Sequence, residues 1–172
     1  RRAVGPGWST FAVAGHSAVT QEQRSKGEAT VCYELLTGHE RWMHAAPSEH
    51  FGEQYGGDGP RATPTIDGDR VFSLGATGVL NCLDLSTGAS VWNRNVLEDS
   101  GANLLMWGMS GSPLVYDGLV VVNAGGEDSH SMIAYDRNTG EVNWHAGNSR
   151  ASYSSPLLAD LCGVRQVLML NG

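Results

Sequence analysis

The sequence predicts an all-β chain built as a β-propeller of four-stranded antiparallel blades, with about three and a half blades present. Three observations carry this. The pattern Thr-Gly-x-x-x-Trp occurs at Thr37–Trp42, Thr87–Trp92 and Thr139–Trp144, placing the tryptophans 50 and 52 positions apart. A second series, Ala62-Thr63-Pro64, Gly111-Ser112-Pro113 and Ser154-Ser155-Pro156, runs ahead of it. The short-turn pairs Asp67-Gly68 and Asp117-Gly118 are 50 apart, in step with the tryptophans. A recurrence of this length marks an array of supersecondary units and not one core. A β-sandwich has many short strands but no such phased repeat, and a β-solenoid repeats over a much shorter span.

Each unit reads as four strands. Proline suits the first residue of a strand, where its missing N–H breaks no ladder bond. Asp-Gly then turns the chain back. The second unit is expected at 63–67, 70–75, 79–84 and 90–96, the third at 112–116, 119–124, 131–136 and 141–146. The first is less regular, at about 8–14, 17–23, 29–35 and 40–45. Residues 154–170 hold only the first two strands of a fourth unit. The blades are therefore about 8–45, 62–96 and 111–146, with a half-blade at 153–172. Segments 46–61 and 97–111 are longer connections between units.

Alignment on the tryptophans extends the match upstream, to Cys32-Tyr33-Glu34, Cys82-Leu83-Asp84 and Ala134-Tyr135-Asp136. The acidic residue ends a strand and can accept hydrogen bonds from amides two or three residues on. Glycine supplies positive φ without steric cost. Cys32 and Cys82 share a repeat position with Ala134, which marks them as small buried strand residues. Cys162 has no visible partner.

Composition removes several function classes. Of 172 residues, 17% are charged and the net charge is −7, with 11 scattered basic residues. This gives no electrostatic footprint for nucleic acid. No apolar run is long enough to span a membrane as a helix. There is no Cys-x-x-Cys pair, no His-Glu-x-x-His and no Gly-x-Ser-x-Gly. The chain opens on Arg1-Arg2 without Met and stops at Leu170-Asn171-Gly172 after an alternating apolar segment, so a piece of a longer polypeptide is expected.

Asp-x-x-Thr-Gly-x-x-x-Trp, preceded by a small residue, resembles the tryptophan-docking motif of quinoprotein-type propellers. These are the repeats of pyrroloquinoline-quinone-dependent alcohol dehydrogenases. They occur also in cofactor-free relatives such as the lipoprotein subunit of the outer-membrane β-barrel assembly machinery. The resemblance covers essentially the whole chain. It implies that Trp42, Trp92 and Trp144 are wedges between blades, that the arc belongs to a ring of seven or eight blades, and that the protein is periplasmic or otherwise extracytoplasmic. The quinone enzymes of this family carry a disulfide between adjacent cysteines, and calcium held by acidic and amide side chains. This chain has no adjacent cysteines, and its acidic candidates Asp58, Glu98-Asp99 and Glu127-Asp128 lack an alternating ligand pattern. No cofactor is expected in this fragment; pyrroloquinoline quinone and calcium belong to an alternative reading, a fragment of an alcohol or sugar dehydrogenase.

Candidate functional residues are those the repeat does not require. No catalytic group stands out. The histidines, His16, His39, His44, His50, His130 and His145, show no ligand spacing, and His39 sits in a turn. Trp8 and Trp107 lie outside the motif. Trp107 precedes an inner strand, Arg61 holds the corresponding place one unit earlier, and Tyr153 lies near it in the fourth unit. Inner strands and the loops feeding them face the central funnel, so Arg61, Trp107 and Tyr153 are the candidate funnel residues. Gln21, Gln23 and Arg24 are polar where other units are apolar, and are expected to fill the axis or bond neighbouring blades. The expected function is a propeller binding or scaffold module of the bacterial cell envelope, with a protein or small-molecule ligand at the funnel. A scaffold for outer-membrane protein assembly is a further alternative.

Overall fold

The computed structural model describes residues 3–24, 27–46 and 57–171. Three consecutive segments each form a four-stranded antiparallel meander. The first sheet is β1 (Ala12–Ala14), β2 (Ser17–Arg24), β3 (Gly27–Glu34) and β4 (Glu40–Ala46). The second is β5 (Thr65–Asp67), β6 (Arg70–Leu74), β7 (Val79–Asp84) and β8 (Ser90–Asn95). The third is β9 (Leu114–Tyr116), β10 (Leu119–Asn123), β11 (Met132–Asp136) and β12 (Val142–Ala146). A two-stranded sheet, β13 (Leu157–Leu161) and β14 (Val164–Leu168), follows. These sheets are blades of an open propeller arc.

The Thr-Gly turns are built alike. Gly38, Gly88 and Gly140 have φ of 71°, 73° and 73°. Their amides donate to the carbonyls of Glu34, Asp84 and Asp136 at 2.8, 2.8 and 2.9 Å. Asp84 Oδ1 accepts from the amides of Ser86 and Thr87 at 3.0 and 2.9 Å, and Asp136 Oδ1 accepts from Asn138 and Thr139 at 2.8 and 2.9 Å. Each turn leads through a bulge into the tryptophan strand, where Cys32, Cys82 and Ala134 stand opposite Trp42, Trp92 and Trp144. A small residue there leaves room for the indole. Cys32 and Cys82 are fully buried.

The tryptophans join neighbouring sheets. The Trp42 indole packs with Val71 and Leu83 of the second sheet, and its Nε1 donates to the Leu85 carbonyl at 2.8 Å. Trp92 repeats this one blade on, donating to the Arg137 carbonyl at 3.0 Å and lying between Phe72 and Tyr135. The main core lies between the second and third sheets, around Phe72, Leu74, Leu80, Val122, Ile133 and Tyr135. Burying such rings is the largest favourable contribution available to a thin sheet.

Two expectations need correction. The innermost strands are shorter than expected: β1, β5 and β9 have three residues each, starting at Ala12, Thr65 and Leu114 instead of about 8, 63 and 112. The residues just ahead of them direct amides to the next unit and not to their own ladder. The last strand of the second blade, expected at 90–96, ends at Asn95, because Val96 opens a helix at the start of the long connection. Val96–Ser100 form a one-turn helix, α1, with Asn95 Oδ1 accepting from the amides of Leu97 and Glu98 and Gly101 closing it at φ 65°. Residues 47–56 of the first connection, with His50, lie outside the described residues.

Candidate functional site

A hydroxyl series runs from unit to unit at the starts of the inner strands. The Thr10 amide donates to Thr63 Oγ1 at 3.1 Å, the Thr63 amide to Ser112 Oγ at 2.9 Å, and the Ser112 amide to Ser155 Oγ at 2.8 Å. Thr10, Thr63, Ser112 and Ser155 thus occupy one position in four successive units. Gln21 and Asn123 reinforce the series from the second strands. Gln21 Nε2 donates to the Ala62 and Leu74 carbonyls at 2.8 and 3.1 Å, and Asn123 Nδ2 to the Ser154 carbonyl at 3.4 Å. Gln21 therefore bonds the neighbouring blade. Arg24 instead pairs with buried Glu22 at 2.7 Å, and the Gln23 side-chain carboxamide is buried without a hydrogen-bond partner.

Two residues ahead of each hydroxyl stand Trp8, Arg61, Ser110 and Tyr153. These four, with Trp107, line one depression of about 390 Å³. The three funnel candidates Arg61, Trp107 and Tyr153 are thus brought together. Ser110 was missed, and Trp8, singled out only as lying outside the motif, was not placed at the funnel; the offset from the hydroxyl series marks both, and it makes Ser110, not Trp107, the counterpart of Arg61. The Trp8 amide is held by the Pro60 carbonyl at 2.9 Å. Arg61 Nε donates to the Trp107 carbonyl at 2.7 Å, and its guanidinium carbon lies 5.9 Å from the centre of the Trp8 ring. Trp107 and Tyr153 pack with ring centres 5.0 Å apart at 30°. Ser110 Oγ donates to the Tyr153 carbonyl at 3.0 Å.

This arrangement can hold a ligand by contact. Trp8, Trp107 and Tyr153 are each partly exposed beside the Arg61 guanidinium. Such a surface suits an apolar or planar group carrying hydrogen-bond acceptors. A wider depression of about 800 Å³ lies between the loop after α1 and residues 125–130. Its acidic lining residues differ in how they are held. Asp99 takes a bidentate pair from Arg94 at 2.6 and 2.9 Å and the Tyr135 hydroxyl at 2.9 Å, whereas Glu127 only approaches the exposed Arg150 at 3.9 Å. Burial first, then the Asp99 carboxylate, push the Tyr135 phenol far above its usual range.

Among the described residues no three His, Cys, Asp or Glu side chains converge as metal ligands. Cys32 and Cys82 are separately buried and Cys162 is exposed, so no adjacent disulfide can form. No helix among the described residues is long and apolar enough to cross a membrane.

The fold and its tryptophan joints define a quinoprotein-like propeller module. The family model described as outer membrane protein assembly factor BamB matches residues 25–171, and the chain belongs to that family. It is 32% identical over 100 residues to BamB of Xanthomonas campestris, covering 58% of this chain and 24% of that protein. The crystal structure of BamB from Moraxella catarrhalis superposes with a TM-score of 0.63 at 25% identity, over 90% of this chain and 41% of that one. Quinohemoprotein alcohol dehydrogenase from Comamonas testosteroni shares the fold, with a TM-score of 0.59 at 23% identity, over 83% of this chain and 21% of that one. The chain thus spans about a quarter of the curated relative and about two fifths of the solved BamB.

Proposed function

We propose that this chain is a non-covalent binding module of the bacterial cell envelope. In this reading it holds an extended polypeptide segment against the axial depression of Trp8, Arg61, Trp107 and Tyr153. The observation that carries the reading is the convergence of one variable residue from each of four units on a single surface. The units keep their joints constant and differ here, as expected where a repeat array contacts its ligand. Exposed indoles give contact area at low entropic cost, and Arg61 supplies a donor fork for backbone carbonyls or a carboxylate.

Membership of the BamB family supports a polypeptide occupant and an extracytoplasmic place, since the relatives are outer membrane protein assembly factors by description. The test is a fluorescence titration with a synthetic strand peptide from an outer-membrane β-barrel. Wild type should bind, and Trp107→Ala and Arg61→Ala should each weaken binding by about tenfold, equivalent to about 1.4 kcal/mol. Tight binding of pyrroloquinoline quinone with calcium, and none of peptide, would replace this reading with the dehydrogenase one.

A further inference from the structure

The seam between the first and second blades ends in a group of buried polar side chains. β2 and β3 have eight residues each, whereas the matching strands β6, β7, β10 and β11 have five or six. The extra length carries Gln23 and Glu28, which stand opposite each other in the ladder and so share one face of the sheet. That face looks at the second blade. From it Gln21 bonds the Leu74 carbonyl, Thr30 Oγ1 donates to Ser73 Oγ at 2.8 Å, and the Glu28 carboxylate accepts the Ala76 amide at 2.9 Å. The carboxylate lies so near the β6–β7 turn that a Cβ on Gly75 would stand 2.5 Å from its Oε2.

Two side chains at this place are unsatisfied. Gln23 is 7% exposed, and neither its Oε1 nor its Nε2 has a hydrogen-bond partner. Thr77 Oγ1, in the turn that Glu28 holds, is buried and equally unpartnered. Native interiors rarely leave such groups unmet, and where they do a bound ion or water is the usual reason.

We propose that Gln23 Oε1, the Glu28 carboxylate and Thr77 Oγ1 bind a dehydrated alkali-metal cation, sodium or potassium. Carboxylate, carboxamide and hydroxyl oxygens suit a hard cation. One carboxylate among neutral oxygens gives this donor set a single negative charge, which one monovalent ion balances. A divalent ion would leave a net positive charge in the interior. Such a site is distinct from a cluster of His, Cys, Asp and Glu ligands, of which the described residues hold none. The ion fastens the β6–β7 turn to the first blade, at the opposite end of the seam from the Trp42 bond to Leu85. The inference is independent of the axial site.

The test is the melting temperature of the protein, followed by circular dichroism, in sodium, potassium and choline chloride at equal ionic strength. Sodium or potassium should raise it along a saturating curve, and choline should not. Gln23→Leu and Thr77→Val each remove one donor oxygen at similar size. Each should demand at least about tenfold more salt for half of the rise. Line broadening of the sodium NMR signal by the wild-type protein, reversed by excess potassium, reads binding without any variant. Equal melting in the three salts with no line broadening, or a salt response that both variants keep in full, would overturn the site and leave water as its occupant. Stabilisation by calcium or magnesium with none by sodium or potassium would overturn the monovalent assignment.

Discussion

The Trp42 ring lies against Gly88 of the next blade so closely that a methyl group there would stand 2.6 Å from Cε3. Gly88 also has φ 73°. Its alanine variant thus meets two costs, the left-handed backbone and the overpacked ring. Gly118 has φ 77° with open space around it, so its variant meets only the first, about 1 kcal/mol. Gly88→Ala should destabilise by about 1–3 kcal/mol more than Gly118→Ala. Urea unfolding of the two variants measures the difference, and equal losses would contradict the close contact.

Removing a wedge should be costly. Trp92 bridges Phe72 and Tyr135 across the main core, with ring centres 5.9 and 6.4 Å away. Trp92→Ala should cost about 3–5 kcal/mol of unfolding free energy. A loss below about 1 kcal/mol would remove its role as a joint.

The Thr-Gly turn has a pH signature. Hydrogen bonds from Ser86 and then Thr87 hold the Asp84 carboxyl down at about 2, from an ordinary value of 3.8. Because the folded value is the lower one, this contribution is fully present above the ordinary value and fades as pH falls through about 2. The melting temperature should drop between these limits, and Asp84→Asn should lower it at neutral pH and flatten the acid dependence. An unchanged acid profile in the variant would show that the turn does not depend on the carboxylate.

Cysteine reactivity should divide the same way as burial. Burial pushes the Cys82 thiol up to about 11 and also raises Cys32, whereas Cys162 sits exposed in the β13–β14 turn. Iodoacetamide at mildly basic pH should label Cys162 alone in the folded protein and all three cysteines in denaturant, as read by mass spectrometry. Labelling of Cys82 without denaturant would contradict the packed joint.

The joints were legible because the same residues recur in them. Asp84 and Asp136 bond their turn amides as the repeat implies, and Cys32 and Cys82 lie opposite the indoles. What the repeat does not encode was harder to read. Helix α1 spans a single turn, too short for an apolar period, and only Asn95 and Gly101 signal its caps. The short inner strands follow from the hydroxyl series, which crosses between units and cannot be seen in one unit alone. Arg61, Trp107 and Tyr153 stood out by differing from their repeat neighbours. Trp8 and Ser110 emerged only once Thr10, Thr63, Ser112 and Ser155 fixed the register.

Trp42 and Trp92 are joints, and under the proposed function Trp8 and Trp107 are the ligand contacts. Titration of ¹⁵N-labelled protein with the strand peptide, followed at the indole N–H signals, tests that division most directly. The Trp8 and Trp107 signals should move with a common saturation curve while Trp42 and Trp92, bonded to Leu85 and Arg137, stay in place. Movement of Trp42 and Trp92 with Trp8 and Trp107 unaffected, or no movement at millimolar peptide, would contradict it.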